Sequence, residues 1–263
     1  MKYFLTLSLL LSFFSSHLLA KTQGCNKSPM PLFANSADNL ELSHIPVQTI
    51  LRIASPRKNV ENNPYFPYYA HGSGVLVKYK KQTGFILSAF HVTYGREIVL
   101  VMLNDRYDAK RLFWAKLVKD DKNVDLSLYQ IIDSPKLNIS ADIYQGKDNN
   151  YGQDIFVTGY PVTPKALFKA ELFPNSRMIV RHEKLLGEKE FNGFELTVKP
   201  FIVSDCIDNG LSGGPAFDNQ GHVLGINHST DRFSDNPDGS FNGYLIPATI
   251  IREFLNKADL SPP

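Results

Sequence analysis

Short segments of β-forming residues follow one another along most of the chain, and this pattern constrains the fold more than any other feature. Each segment is rich in Val, Ile, Leu, Phe or Tyr, and most end at Gly, Asn, Asp or Pro, which predicts strands separated by turns. A polar break at 147–152 divides the segments into two sets of six. Strands this short and numerous predict an all-β protein, either a sandwich or a barrel, and two six-stranded antiparallel β-barrels would fit the two sets. The predicted strands are Val47–Ala54, Gly74–Tyr79, Gly84–Ala89, Glu97–Leu103, Arg111–Val118, Val124–Ile131, Asp154–Gly159, Arg177–His182, Phe194–Lys199, Gly214–Phe217, His222–Asn227 and Phe241–Ile246.

One helix is predicted, after the last strand of the second set. In Thr249–Ala258 four apolar residues recur on one helical face and charged residues occupy the other, as in an amphipathic helix packed on a core. We therefore assign residues 46–145 to a first barrel and residues 146–257 to a second barrel with a C-terminal α-helix. The apolar residues of the helix are Ile250, Ile251, Phe254 and Leu255.

Residues 1–20 have the pattern of a secretory signal peptide. Lys2 precedes a mostly apolar run over 4–14, and Ala20 is a small residue at a plausible cleavage point. The run is shorter than the ~20 apolar residues that a membrane span needs, so we expect no span in the mature chain. Residues 21–45 are polar and rich in turn formers, and are predicted to form an N-terminal arm. The protein is thus expected to be exported, either secreted or periplasmic.

Charge and cysteine content exclude several classes of function. The 28 Lys and Arg residues against 26 Asp and Glu residues give a net charge of +2, without the basic surplus of a dedicated nucleic-acid binder. Two cysteines are too few for a disulfide-rich scaffold or a four-cysteine zinc site. We predict no cofactor, no metal site and no nucleic-acid partner.

Three short motifs carry residues that could work together in catalysis. In chain order they supply His91, Asp125 and Ser212. A serine hydroxyl becomes a good nucleophile when an imidazole takes its proton, and the imidazole needs a carboxylate on its other nitrogen to fix the tautomer and stabilise the cation. Asp125 lies between apolar neighbours in VDLSL, so a buried carboxylate there requires a partner such as a histidine.

Glycines surround the proposed nucleophile in Gly210–Gly214. Gly210 allows the backbone to turn so that its own N–H and that of Ser212 point into one cavity, which would form an oxyanion hole. The same GxSxG pattern also occurs in the nucleophile elbow of α/β-hydrolases. That fold needs an acidic residue and a histidine after the serine, and too few residues follow Ser212 for its remaining strands and helices. We therefore favour the His–Asp–Ser order on a β-barrel protein.

With these motifs the sequence resembles the trypsin-like, chymotrypsin-fold serine endopeptidases, in particular the bacterial exported HtrA and glutamyl endopeptidase kinds. The resemblance covers roughly residues 45–257, through HGSGVLV before GFILSAFHV, then DLSL, GLSGGPAFDNQGHVLGIN and GYLIPATIIREFL. It implies a chymotrypsin-like double barrel with His91 and Asp125 from the first barrel, Ser212 from the second and a polypeptide substrate. Leu211 stands where zymogen-forming relatives have an aspartate, and no PDZ module is expected after the helix.

The resemblance also implies where the primary specificity pocket lies. Cys206 would form its base, and its wall would lie near 227–230. Trypsin-like members carry an aspartate at the base, so Cys206 disfavours cleavage after Lys or Arg, although Asp205 and Asp208 are close by. Glutamate-specific relatives use a histidine beside hydroxyls; the histidine here either has that role or is a wall residue. The predicted wall residues are Asn227, His228, Ser229 and Thr230.

Two questions stay open on the sequence. Cys25 and Cys206 could form a disulfide in an oxidising compartment, or both could be free thiols. The chain could be an active serine endopeptidase that works through an acyl-enzyme, or a pseudoprotease that binds partners on the same fold.

Overall fold

The computed structural model describes ten segments of the chain: residues 30–31, 46–56, 69–104, 110–132, 137–147, 151–162, 178–188, 197–205, 207–230 and 241–257. The predicted signal peptide, Cys25 and Cys206 lie outside these residues. Of the predicted arm at 21–45, the described part is the two-residue strand β1, Met30–Pro31, which pairs with β9 (Ile179–Glu188) of the second barrel.

Six antiparallel strands close the first barrel. Along its wall the order is β2–β3–β4–β7–β6–β5, and β5 returns to pair with β2. Val99, Val101 and Ala115 are fully buried inside it, where the period-2 alternation of strands places every second side chain. The strands are β2 (Ile50–Pro56), β3 (Tyr69–Tyr79), β4 (Gln82–Ala89), β5 (Ile98–Asn104), β6 (Lys110–Asp121) and β7 (Leu126–Ile131).

The second barrel is closed in the same way by β8–β9–β10–β13–β12–β11, with β11 pairing back onto β8. Two six-stranded antiparallel barrels are therefore confirmed. A short helix, α1 (Phe90–Thr93), follows β4, and α2 (Ala248–Asn256) confirms the predicted C-terminal helix. Besides β9, the strands are β8 (Asp154–Gly159), β10 (Phe201–Val203), β11 (Pro215–Phe217), β12 (Val223–Thr230) and β13 (Gly243–Pro247).

Two of the predicted strands are wrong in position. The strand expected over Phe194–Lys199 is absent at the described residues 197–199, and the barrel instead uses β10, which pairs with β9 and β13. Val47–Thr49, expected to begin the first strand, forms a 3₁₀ turn. Both the backbone N–H and the hydroxyl of Thr49 donate to the carbonyl of Pro46, at 2.9 and 2.7 Å. Local side-chain bonding therefore overrides β-propensity there.

The two barrels share one apolar core. Buried side chains from both barrels, such as Leu87 and Leu126 of the first and Phe217 and Ile226 of the second, belong to a single packed cluster with the inner face of α2. Arg52 of β2 lies 4.5 Å from the centre of the Tyr160 ring, just after β8. The turn that precedes β11 lies against β3 and the end of β4, since Gly213 packs next to Ser73, Ser88 and Ala89. Among the described residues, no helix is both long and apolar enough to cross a bilayer.

Candidate active site

His91 and Asp125 are brought together by paired strands of the first barrel. His91 lies in α1 directly after β4, and Asp125 directly precedes β7, which pairs with β4 so that Ala89 stands opposite Leu126. His91 Nδ1 lies 2.7 Å from Asp125 Oδ2, and the His91 backbone N–H donates to Oδ1 at 2.8 Å. The carboxylate thus holds both the ring and the backbone of the histidine.

Asp125 has a backbone conformation that few side chains accept. Its φ of 55° lies in the left-handed region, which an aspartate tolerates better than bulky residues do. Its carbonyl accepts the N–H of Phe90 at 3.0 Å, and this bond ties the aspartate turn to the start of α1. The strained turn therefore aims the carboxylate at His91 rather than at solvent.

A second histidine shares the same carboxylate oxygen. His228, in β12 of the second barrel, places Nδ1 2.6 Å from Asp125 Oδ2. Burial by itself raises the pKa of the Asp125 carboxyl, but the hydrogen bonds from His228 and His91 and their charges outweigh burial and hold this pKa well below its ordinary value. The group is therefore ionised, and accepts hydrogen bonds without donating any.

Ser212 lies on a tight turn between residue 207 and β11. Gly213 has φ 81°, and a Cβ built there would lie 2.2 Å from Ser88 Oγ and 2.3 Å from the Ser73 carbonyl, so only glycine fits. The Ser212 hydroxyl donates to the carbonyl of His228 at 3.3 Å. Among the described residues it forms no hydrogen bond with His91, although the same turn carries it toward the cleft.

The backbone of this turn leaves two donors available. Within the described chain, the N–H groups of Gly210 and Ser212 donate to no residue. The Asn209 carbonyl accepts the N–H of Val162 at 2.7 Å, and in a trans peptide this points the Gly210 N–H away from Val162. Gly210 has φ 92°, and a Cβ there would lie 2.5 Å from the Tyr160 carbonyl. Glycine is thus required at this position too.

Ser73 of β3 connects the first barrel to the nucleophile turn. Its N–H donates to the Ser212 carbonyl at 2.8 Å, and its hydroxyl donates to the Gly210 carbonyl at 2.8 Å while accepting the N–H of Tyr160 at 2.9 Å. Ser88 Oγ in turn donates to the Ser73 carbonyl at 2.8 Å. Ser73 lies in the HGSGVLV motif, but nothing in that pattern singles it out from the other residues of the strand.

The described residues predicted to wall the specificity pocket have other partners in the structure. Asn227 Nδ2 donates to the carbonyls of Thr158 and Leu211, at 2.8 and 3.1 Å. Thr230 Oγ1 bonds both the N–H and the carbonyl of Ile207, and Ser229 Oγ is buried. The contact of His228 with Asp125 was not predicted, because a contact between the two barrels leaves no periodic pattern in the sequence.

Buried charges anchor the segment that leads to Ser212. The guanidinium of Arg181 in β9 pairs with Asp208 and lies 3.7 Å from Asp205 Oδ2. The side chains of Arg181 and Asp205 are each 4% exposed. One guanidinium therefore engages both carboxylates, and its positive charge offsets one of their two negative charges.

One cluster in the described chain has ligand atoms close enough together to hold a metal ion. It consists of His91, Asp125 and His228, whose ligand atoms all lie within 4.8 Å of one another. The Nδ1–Oδ2 separations of 2.7 and 2.6 Å are, however, shorter than the roughly 3.3 Å between two ligands of a tetrahedral zinc ion with bonds near 2.0 Å. The spacing is that of hydrogen bonds, with a proton on each Nδ1.

Comparison with known proteins gives concordant matches. The family described as "Trypsin-like peptidase domain" matches residues 72–226, more than half of the chain. A probable periplasmic serine endoprotease DegP-like of Hahella chejuensis is 28% identical over 71% of this chain and 35% of its own length. The serine protease Do-like HtrA of Bacillus subtilis is 27% identical over 73% of this chain and 41% of its own length. The chain therefore spans about two fifths or less of these relatives.

Solved structures share the fold at lower identity. The Rv3671c protease from M. tuberculosis, in its active form, superposes with a TM-score of 0.63 at 19% identity, covering 90% of each chain. The HtrA-type protease AlgW with a tripeptide has a TM-score of 0.59 at 22% identity, covering 83% of this chain and 62% of its own. At these identities the likeness shows the double-barrel fold.

Proposed function

The chain belongs to the trypsin-like peptidase family, and we propose that it is an exported serine endopeptidase that cleaves polypeptides through an acyl-enzyme. The single observation that carries this proposal is the pair of hydrogen bonds from His91 to Asp125, next to His228, whose carbonyl accepts the Ser212 hydroxyl. A histidine held by an ionised, buried carboxylate has its Nδ1 protonated, which leaves Nε2 as the basic nitrogen.

The roles in catalysis follow from this arrangement. Ser212 would attack the scissile carbonyl, and His91 Nε2 would take the hydroxyl proton and later deliver it to the leaving amine. The hydroxyl must first exchange its bond to the His228 carbonyl, at 3.3 Å, for one to His91. Asp125 keeps the tautomer and stabilises the imidazolium. Water then hydrolyses the acyl-enzyme by the same proton route.

The N–H groups of Gly210 and Ser212 are proposed to hold the oxyanion. Both are free of described partners, and the buried position of Gly210 makes an orphaned donor costly until a ligand oxygen accepts it. Removing one such donor typically costs about 10²–10³ in rate. Because Asp205 and Asp208 are paired with Arg181, we propose that substrates are not selected through a negative pocket for Lys or Arg.

Export is proposed from the residues 1–20 and from the relatives that are named as periplasmic proteases. The division into barrels at 46–145 and 146–257 and the disulfide between Cys25 and Cys206 remain predictions as well.

A second candidate is a protease-fold binding protein without activity, and one observation favours it: the Ser212 hydroxyl bonds the His228 carbonyl rather than His91. A fluorophosphonate probe, which reacts with activated serines, separates the two. Folded wild type should be labelled and should cleave a peptide library, Ser212→Ala should do neither, and Lys116→Met, which removes an exposed ion pair with Glu97, should behave as wild type. Folded wild type that is neither labelled nor able to cleave peptides would establish the binding protein instead.

A further inference from the structure

His228 touches all three members of the proposed triad. Its Nδ1 lies 2.6 Å from Asp125 Oδ2, its carbonyl accepts the Ser212 hydroxyl at 3.3 Å, and its ring lies edge-on to that of His91 with the centroids 5.6 Å apart. It is also almost fully buried, at 4% exposed. One residue of the second barrel thus contacts both residues that the first barrel supplies.

Hydrogen-bond chemistry determines how these groups are protonated. An ionised carboxylate only accepts, so each imidazole within bonding distance of Oδ2 must donate from Nδ1. His91 and His228 therefore share one oxygen of Asp125, while the second oxygen accepts the His91 backbone N–H at 2.8 Å. With three donors around it, the carboxylate has little freedom to rotate away from His91.

The ring contact constrains His91 from a second direction. The His91 side chain is 37% exposed, so its ring needs a packed neighbour to remain in line with Ser212. The edge-on His228 ring, at an interplanar angle of 77°, is such a neighbour. A pocket-wall role, which the sequence suggested, would instead require the imidazole to face the substrate.

We propose that His228 is a positioning residue of the triad, which orients Asp125 through Nδ1 and the His91 ring through edge-on packing. This inference rests on the proposed peptidase function. It predicts that the side chain of His228 affects the chemical step and not the binding of substrate, because it acts through Asp125 and His91.

The test compares three variants by kcat and KM on a peptide that wild type cleaves. His228→Ala should lower kcat about 10–100-fold, as expected for one lost hydrogen bond to a charged group, with KM changed less than about threefold. His228→Asn should recover most of the loss, because its amide nitrogen is bonded to Cγ as Nδ1 is and can donate to Oδ2. His222→Ala is the matched control, since His222 pairs with Asp218 at 3.1 Å away from the cleft, and it should keep the wild-type kcat.

Two results would overturn the proposal: a folded His228→Ala with wild-type kcat, or a variant whose KM rises while kcat stays unchanged, as a pocket wall would give. Should His228→Ala fail to fold, proton NMR on wild type and His228→Asn decides the matter. Two far-downfield imidazole N–H signals are expected in wild type and one in His228→Asn, whereas a single signal in wild type would contradict the shared carboxylate. Because this readout needs no turnover, an inactive wild type would contradict the peptidase function alone.

Discussion

The two barrels bury charge in different places. In the described part of the first barrel, the buried charged side chains are Arg52 and Asp125, and both reach across to the second barrel, to Tyr160 and His228. The second barrel buries its charges within itself: three lie next to the segment that leads to Ser212, and Asp218 lies after β11, in the turn before β12. These residues are Arg181, Glu183, Asp205 and Asp218.

The difference follows from what each barrel must hold in place. The first barrel presents His91 and Asp125 at the ends of two paired strands, so ordinary ladder hydrogen bonds determine their position. The second barrel presents Ser212 on an irregular turn that has no ladder. Ion pairs and side-chain hydrogen bonds hold that turn instead, and because they are buried, each must be fully paired.

The largest effect on kcat is expected at Asp125, whose carboxylate contacts histidines of both barrels. Asp125→Asn replaces an acceptor-only group by one that can donate, so His91 loses the tautomer that leaves Nε2 basic, and His228 loses its acceptor. A fall in kcat of about 10⁴-fold is expected on a peptide that wild type cleaves. The melting temperature of the variant, measured in parallel, shows whether it is folded. If a folded Asp125→Asn retained more than a tenth of wild-type kcat, the two barrels would not share the catalytic charge as described.

The buried pair of the second barrel should matter more for stability than any surface pair of the first. Arg181→Met leaves Asp205 buried without its cation, which should lower the free energy of unfolding by about 3–5 kcal/mol. Urea unfolding measures this. The control is Lys116→Met, which removes an exposed pair with Glu97 at 3.9 Å and should change the free energy by less than about 1 kcal/mol. Equal effects of the two variants would refute the contrast between the barrels.

A smaller effect is expected at Ser73, where the first barrel supports the turn of the second. Ser73→Ala leaves the Tyr160 N–H without its acceptor and the Gly210 carbonyl without a donor, at a cost of about 1–3 kcal/mol in unfolding free energy. The kcat should also fall, because Gly210 belongs to the proposed oxyanion hole. Thr49→Ala removes a buried hydroxyl that bonds the Pro46 carbonyl in the turn before the first barrel, and it should lower stability without lowering kcat.

The smallest effect concerns alkaline stability at the contact between the barrels. Burial, partly offset by Arg52, raises the pKa of Tyr160 from 10.0 to about 12. As the pH rises, the unfolded chain therefore loses the Tyr160 proton before the folded chain does. The contribution of this proton to the free energy of unfolding is complete below pH 10 and is lost as the pH rises toward about 12. Tyr160→Phe should remove about 1 kcal/mol of this loss at pH 11. If the urea midpoints of Tyr160→Phe and wild type changed by the same amount between pH 9 and pH 11, the predicted role of Tyr160 would be contradicted.

The sequence was most informative where structure is periodic or where chemistry needs a particular residue. The strand pattern predicted both barrels, and the apolar face predicted α2. His91, Asp125 and Ser212 could be singled out because few other residue types can do their work. The sequence was least informative at short or irregular elements. The three-residue strand β10 lies past the position expected from local composition, because its neighbours β9 and β13 decide where it pairs.

The sequence by itself determined the two-barrel architecture, the residues able to form a catalytic triad and the glycines that permit the nucleophile turn, because these depend on local periodicity, residue chemistry and backbone freedom. Only the tertiary structure decided that His228 would share Asp125 with His91, that Ser73 would support the turn and that Arg181 would pair with Asp208 beside Asp205. Each of these contacts joins residues far apart in the chain. Burial forces such polar groups to find partners, but only the packing of the strands decides which partners are within reach.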